Sequence, residues 1–232
     1  MKGKLIVIEG GDGSGKATQA DLLYRRLNRE GKPVYKVTFP DYDSPSSMLV
    51  KMYLQGQFGK QADSVNPYAA STFYAVDRFA SYQMKWKTLL AQGYIIIADR
   101  YTTSNMLYQM IKISAPAARQ TYLDWLWDFE FIKMGLPIPD IVILLDVPLA
   151  VTETLMAARQ GKTGGETGDI HEKNRAFLQQ CHAAYEELAH MYGWRRVACT
   201  TQGKMRSPQS IQEEVYTVVA TALFDNREGY SI

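Results

Sequence analysis

The stretch Leu5-Ile6-Val7-Ile8-Glu9-Gly10-Gly11-Asp12-Gly13-Ser14-Gly15-Lys16 decides how the rest of this chain is read. Its four apolar residues form a strand-sized run that does not alternate with polar ones, so both faces of that strand are expected to be buried. Gly10 to Lys16 then fits G-x-x-x-x-G-K between a strand and a helix-period stretch, the context that makes the pattern a phosphate-binding loop, residues 10–17. Glycines let consecutive backbone N–H groups turn in around an anion, and a helix N-terminus adds partial positive charge. Lys16 brings an ammonium to the β- and γ-phosphates. The dinucleotide fingerprint G-x-G-x-x-G fails, because counted from Gly11 its last glycine falls on Lys16. A nucleoside triphosphate is favoured over NAD.

The residue after Lys16 is Ala17, where this loop normally offers a Ser or Thr hydroxyl to Mg²⁺. Thr18 follows, but one step along a helix rotates a side chain by about 100°. Either water takes that coordination position or acidic residues elsewhere carry more of the metal.

Further runs follow: Tyr94–Ala98 and Ile141–Leu145 share the first one's non-alternating character, Val34–Val37 is weaker, and Arg195–Ala198 is shorter and more polar. Helical signals fill the gaps. Ala20, Leu23 and Leu27 make a stripe closed by Gly31, and Asn66-Pro67 opens a helix reaching to about Gln92 before Gly93. Ser207-Pro208 opens a last helix with Ile211, Val215, Val218 and Leu223 on its apolar side. Strands alternating with helices predict an α/β fold, a doubly wound five-stranded parallel sheet flanked by helices, in one domain over residues 1–232. Neither an internal repeat nor a linker interrupts it.

With 26 basic and 24 acidic residues the net charge is +2, which excludes a strongly basic nucleic-acid coat or an acidic tail protein. Cys181 and Cys199 lack metal-ligand spacing and are too few for a disulfide scaffold, so a reduced compartment is expected. No apolar run approaches membrane length, and the short charged start has no signal-peptide core; the expectation is a soluble, cytoplasmic protein with no membrane or nucleic-acid partner. Residues 160–168 hold four glycines and no large apolar side chain, which predicts a mobile surface loop, a lid over about 159–170.

Asp99-Arg100-Tyr101 ends the third run, at the carboxyl edge where α/β sheets gather ligands. The carboxylate can bind Mg²⁺ and the guanidinium can grip phosphate through two parallel hydrogen bonds. Taken alone, the pair reads equally well as a structural ion pair.

Joined to Glu9–Gln19, Phe39-Pro40-Asp41-Tyr42, Phe73–Arg78, Asp99–Gln109 and Leu145-Asp146-Val147, these pieces resemble the thymidylate kinase family in order and spacing. The resemblance implies γ-phosphoryl transfer from ATP to dTMP, giving ADP and dTDP, with Mg²⁺. It implies an ATP site of Gly10, Gly11, Asp12, Gly13, Ser14, Gly15, Lys16, Ala17 and Thr18, with Lys162 from the lid. Asp12 would bond the deoxyribose 3′-hydroxyl and take part in positioning metal. Phe39, Pro40 and Tyr42 would line the monophosphate pocket, and Tyr74, where the family usually has Phe, would stack on thymine. Arg78 would meet the base carbonyl, Arg100 the acceptor phosphate, and Asn105 the pyrimidine edge, with Ser104 and Gln109 nearby. Tyr108 would crowd the 2′ position.

Family members keep a catalytic arginine either in the loop or in the lid, and Gly13 points to the lid. The lid carries only Lys162, with Arg159 at its entrance, so Arg159 is the expected donor to the transferring phosphate or the platform beneath adenine. Asp169-Ile170-His171-Glu172 resembles the family's acidic segment, and Glu172 would reach metal. The catalytic set is then Lys16, Asp99, Arg100 and Arg159, the metal set Asp99, Asp12 and Glu172. Resemblance also implies a homodimer, built on long helices such as Pro67–Gln92. Two other readings remain: a deoxynucleoside kinase acting on an unphosphorylated acceptor, and a nucleotide-binding regulator without turnover.

Overall fold

Five strands, β1 (Lys4–Glu9), β2 (Val34–Thr38), β3 (Ile95–Asp99), β4 (Ile141–Asp146) and β5 (Arg195–Ala198), pair in the order β2-β3-β1-β4-β5, all parallel. The computed structural model describes residues 2–61, 63–155 and 175–224. Arg159, Lys162, Glu172, the expected lid and the tail beyond Phe224 lie outside the described residues. Among those described, no helix is long and apolar enough to cross a membrane.

The non-alternating runs have both faces covered. Leu5, Val7, Ile96 and Ala98 face one layer, where α5 (Thr102–Met110), α6 (Pro116–Trp127) and α8 (Arg175–Met191) supply Leu107, Leu123 and Leu188. Ile6, Ile8, Ile95 and Ile97 face the other, where α1 (Lys16–Arg29) and α9 (Pro208–Phe224) supply Leu23, Leu27, Val215 and Val219. Each Val, Leu or Ile so withdrawn from water contributes about 2 kcal/mol. Two further helices among the described residues are α2 (Met48–Leu54) and α7 (residues 149–155). A short antiparallel pair, Thr200–Thr201 with Lys204–Met205, was not foreshadowed by any apolar run.

Strand order reverses at β1, which has β3 on one side and β4 on the other. A crevice forms beyond the carboxyl ends of strands at such a reversal. In register, Ile8 lies opposite both Asp99 and Ile143, so the residues leaving β1 and β3 enter that crevice together.

The helix expected from Asn66 starts as the sequence implies, with the Asn66 side chain accepting from Ala69 N at 2.9 Å and Pro67 in the first turn. It does not run straight. After α3 (Pro67–Ser81) comes a π-helical turn, Tyr82–Trp86, before α4 (Lys87–Ala91). The wider turn shifts the register so that Trp86 is buried against Tyr82 and Tyr101 while Met84 is left outside.

Candidate active site

The loop between β1 and α1 takes the expected form. Gly15, which precedes the helix, has φ 90°, and Gly10 has φ 153° with no room for a side chain: a Cβ there would come within 2.7 Å of Ser14 Oγ and 3.0 Å of the Leu145 carbonyl. Lys16 folds back over this loop and donates to the Gly11 carbonyl at 2.8 Å. Ser14 is buried with its hydroxyl unpartnered. Ala17 and Thr18 are exposed on the first turn of α1.

Burial pushes the Lys16 ammonium down to about 8; Arg100 adds to the shift, while Asp12, Glu9 and Asp99 oppose it. Such an ammonium is poorly hydrated, and its ion pair with Asp12 Oδ1 is a long one, at 3.8 Å. Anionic phosphate oxygens would supply the missing counter-charge.

Arg100 follows β3 in the left-handed region, φ 67°, while its N–H bonds the Ile8 carbonyl at 3.1 Å. For a residue with a Cβ this conformation costs on the order of 1 kcal/mol, and strain of this kind gathers at sites of function. It turns the guanidinium across the crevice, where it pairs with Asp12, donates to Ser104 Oγ at 3.3 Å and lies 3.8 Å from Glu9. Burial opposes its charge, but Asp12, Tyr108 and Glu9 outweigh burial and hold its pKa well above the ordinary arginine value. Tyr108 donates to Asp12 Oδ2 at 3.2 Å and lies beneath Arg100, 5.5 Å from ring centre to guanidinium carbon. Burial, with Asp12 beside it, keeps this phenol protonated.

Glu9 received no role from the sequence, yet it anchors the floor of the crevice. Fully buried, it accepts from Gly10 N at 3.0 Å, Thr103 Oγ1 at 2.6 Å, Ser104 Oγ at 2.8 Å and Tyr185 at 3.4 Å. Asp99 is 7% exposed, and burial raises its carboxyl pKa against the pull of Lys16 and Arg100. Among the described residues, no cluster of three or more His, Cys, Asp or Glu side chains is poised for a metal.

On the far side lie the residues read as the acceptor pocket. Phe39 is buried in the core, its ring 5.8 Å from Tyr101; Pro40 is half-buried and Tyr42 exposed. Tyr74 is half-buried and meets Tyr53 edge-on at 6.3 Å, and Tyr53 accepts a hydrogen bond from Lys112 at 2.6 Å. Gln109 is buried with Oε1 unpartnered. A solvated face for Asp77 and Arg78 is ruled out, since both are buried and only Val76 and Phe79 of that turn are exposed. Asp77 accepts from Asp41 N at 2.8 Å and Ser46 Oγ at 2.6 Å, tying down the loop that carries Tyr42.

Arg78 pairs with Glu130, a residue the sequence reading passed over. Two parallel bonds join them, Nε to Oε2 at 2.7 Å and Nη2 to Oε1 at 2.5 Å. One signal could have found Glu130: it falls four residues after Leu126 on the buried stripe of Leu123 and Leu126, and a carboxylate on such a stripe demands a cation.

A phosphate cradle and an arginine facing it across a single carboxylate suit transfer between two phosphorylated ligands, and the comparisons agree. The family profile for thymidylate kinase matches residues 8–210. The chain belongs to the thymidylate kinase family. It is 33% identical over 192 residues to the thymidylate kinase of Mycobacterium tuberculosis, covering 82% of this chain and 87% of that one. A Thermococcus kodakarensis protein described as a probable thymidylate kinase is 30% identical over 223 residues, 94% of this chain and 98% of that one. Among solved structures, the thymidylate kinase of Candida albicans superposes with a TM-score of 0.68 at 25% identity, over 95% of this chain and 92% of its own. This fold is therefore the family's fold, with the expected five-stranded parallel sheet.

Proposed function

We propose that the crevice works by lining up ATP and dTMP across Asp12, as follows. The protein is an ATP-dependent nucleoside monophosphate kinase of the thymidylate kinase family, and it converts dTMP to dTDP. The observation that carries the site assignment is the pairing of Asp12 with both Arg100 and Lys16, which sets the acceptor cation beside the donor cradle.

Backbone amides of residues 10–16 and Lys16 hold the β- and γ-phosphates of the donor. When dTMP enters, its phosphate competes with Asp12 for Arg100. Arg100 exchanges one anion for another, and Asp12 is released to accept from the 3′-hydroxyl. Tyr108, already bonded to Asp12, keeps that carboxylate aimed and fills the space a 2′-hydroxyl would need. Tyr74, braced by Tyr53, offers an aromatic face to the base, and Phe39, Pro40, Tyr42, Ser104 and Gln109 complete the acceptor side. Nothing covalent forms on the protein: the acceptor oxygen attacks the γ-phosphorus while the β–γ bridging bond breaks. Catalysis lies in alignment and in neutralising charge on the transferring group by Lys16 and Arg100. Arg159 and Lys162 are read as the lid's contribution, with Arg159 as the donor to the transferring phosphate.

Asp99 suits a cation, because burial disfavours its anion and a bound positive charge removes that penalty. With Ala17 lacking a hydroxyl, Asp99, Asp12 and Glu172 are the residues read as holding Mg²⁺, and phosphate oxygens must complete its shell. Bound there, Mg²⁺ would offset charge on the phosphates. Buried, un-ionised Cys181 and Cys199 suit a reducing cytoplasm, and exposed Val76 and Phe79 on α3 suit a second copy of the chain. Light scattering should then return twice the mass of the chain.

A coupled ADP-release assay with dTMP, dUMP, dCMP, AMP and thymidine tests the function. Turnover should be fastest with dTMP and absent with thymidine; turnover on thymidine and none on dTMP would overturn the reading.

A further inference from the structure

The carboxylate of Glu130 lies in the π-helical turn Asp128–Lys133 that follows α6, with no solvent exposure. It receives four hydrogen bonds. Besides the two from Arg78, Thr102 Oγ1 donates to Oε2 at 2.7 Å and Asn105 Nδ2 to Oε1 at 3.1 Å. The remaining Nδ2 hydrogen of Asn105 goes to the Ser71 carbonyl at 3.2 Å.

Both partners of the Asn105 amide are acceptors only. The amide therefore cannot be turned over: Nδ2 must face Glu130 and Ser71, and Oδ1 must face away. Arg78 has likewise committed Nε and one Nη2 hydrogen to Glu130, which leaves both Nη1 hydrogens and the second Nη2 hydrogen uncommitted among the described residues. Asn105 is 2% exposed and Arg78 2%, and both are held by the same oxygen of Glu130, so one carboxylate fixes the orientation of both side chains. That leaves donor hydrogens on Arg78 and one acceptor, Oδ1, on Asn105.

We propose that Glu130 is a positioning residue that fixes this donor–acceptor polarity, so that the site takes a 4-oxo pyrimidine with N3–H and turns away a 4-amino pyrimidine. The inference rests on the reading that places the acceptor base against Arg78 and Asn105. Thymine and uracil offer a C4 carbonyl to the Arg78 donor and an N3–H to Asn105 Oδ1. Cytosine offers an amino group to the donor and a lone pair to the acceptor, a mismatch at both atoms. Nearly buried groups left unpaired in this way discriminate strongly. Replacing the Glu130 carboxylate by a neutral amide would put an N–H₂ among the donors, and the polarity of the pair would no longer be enforced.

The test compares dissociation constants of dTMP and dCMP by isothermal titration, in wild type and in Glu130→Gln. Wild type should prefer dTMP, and in E130Q that preference should fall by about tenfold or more, with dTMP binding weakened and dCMP binding held or improved. A role in folding alone would weaken both nucleotides in equal proportion, and that result overturns the proposal. Should E130Q fail to fold, Thr102→Val decides: it removes one donor to Oε2 while keeping the charge and both base-facing side chains. Its preference should fall by roughly two- to fivefold; an unchanged preference overturns the proposal. Absence of dTMP turnover in wild type would instead overturn the function itself, so the two failures are distinguishable.

Discussion

The donor cradle and the acceptor-side cluster are built in opposite ways. The cradle is seven consecutive residues, Gly10 to Lys16, whose work is done by backbone and by one lysine short of counter-charge. The cluster draws Arg78 from α3, Asn105 from α5 and Glu130 from the turn after α6, and there every charge is met before any ligand arrives. One region is electrostatically unfinished, as the proposed polyphosphate site would be. The other is finished, and on the proposed reading only uncommitted Arg78 hydrogens and Asn105 Oδ1 are left for the base. Removing a charge should therefore cost activity in the first region and stability in the second.

The largest effect is expected for Lys16→Ala. Loss of this donor should lower kcat/KM by about a thousandfold, roughly 4 kcal/mol of transition-state stabilisation. Its melting temperature should not fall, because a cation that burial disfavours has been removed. A large loss of stability in K16A would break the comparison.

Arg78→Met reverses the pattern. It strands Glu130 as a buried, unpaired carboxylate and should cost about 3 kcal/mol of folding free energy in denaturant titrations. Adding Glu130→Met should restore most of that stability without restoring dTMP binding. If R78M alone melts like wild type, Arg78 and Glu130 do not form a closed, charge-balanced unit.

The smallest effect comes from pH. Lys16 titrates at about 8 when folded and at 10.5 unfolded. Between those values the unfolded chain holds a proton that the folded one has lost, so this group's contribution to stability rises with pH across the window. Over the same range kcat/KM should fall, as the amine loses the charge that meets phosphate. A profile of kcat/KM in K16A lacking this alkaline limb would assign it to Lys16.

What could be read in the sequence follows the same division. β1, the loop and α1 are contiguous, so spacing alone carried their meaning, and the buried runs at Ile141–Leu145 and Tyr94–Ala98 fixed a parallel sheet. The Arg78–Glu130 pair spans 52 positions, and no local period connects a charge on α3 with one beyond α6. Glu9 was hidden differently: it stands inside the motif but points away from the phosphates, into the floor. The π-helical turn at Tyr82–Trp86 was invisible because its one-residue shift is dictated by where Trp86 finds room, not by Trp86's neighbours in sequence.

The central claim is that two nucleotides meet at Asp12, the donor's polyphosphate in the cradle and the acceptor's phosphate on Arg100. A single molecule joining adenosine and thymidine through their 5′-positions by a chain of phosphates tests it most directly. Calorimetry should find that it binds about a hundredfold more tightly than ATP or dTMP alone, with the gain lost in Arg100→Ala. Binding no tighter than ATP, and indifferent to Arg100, would contradict the account.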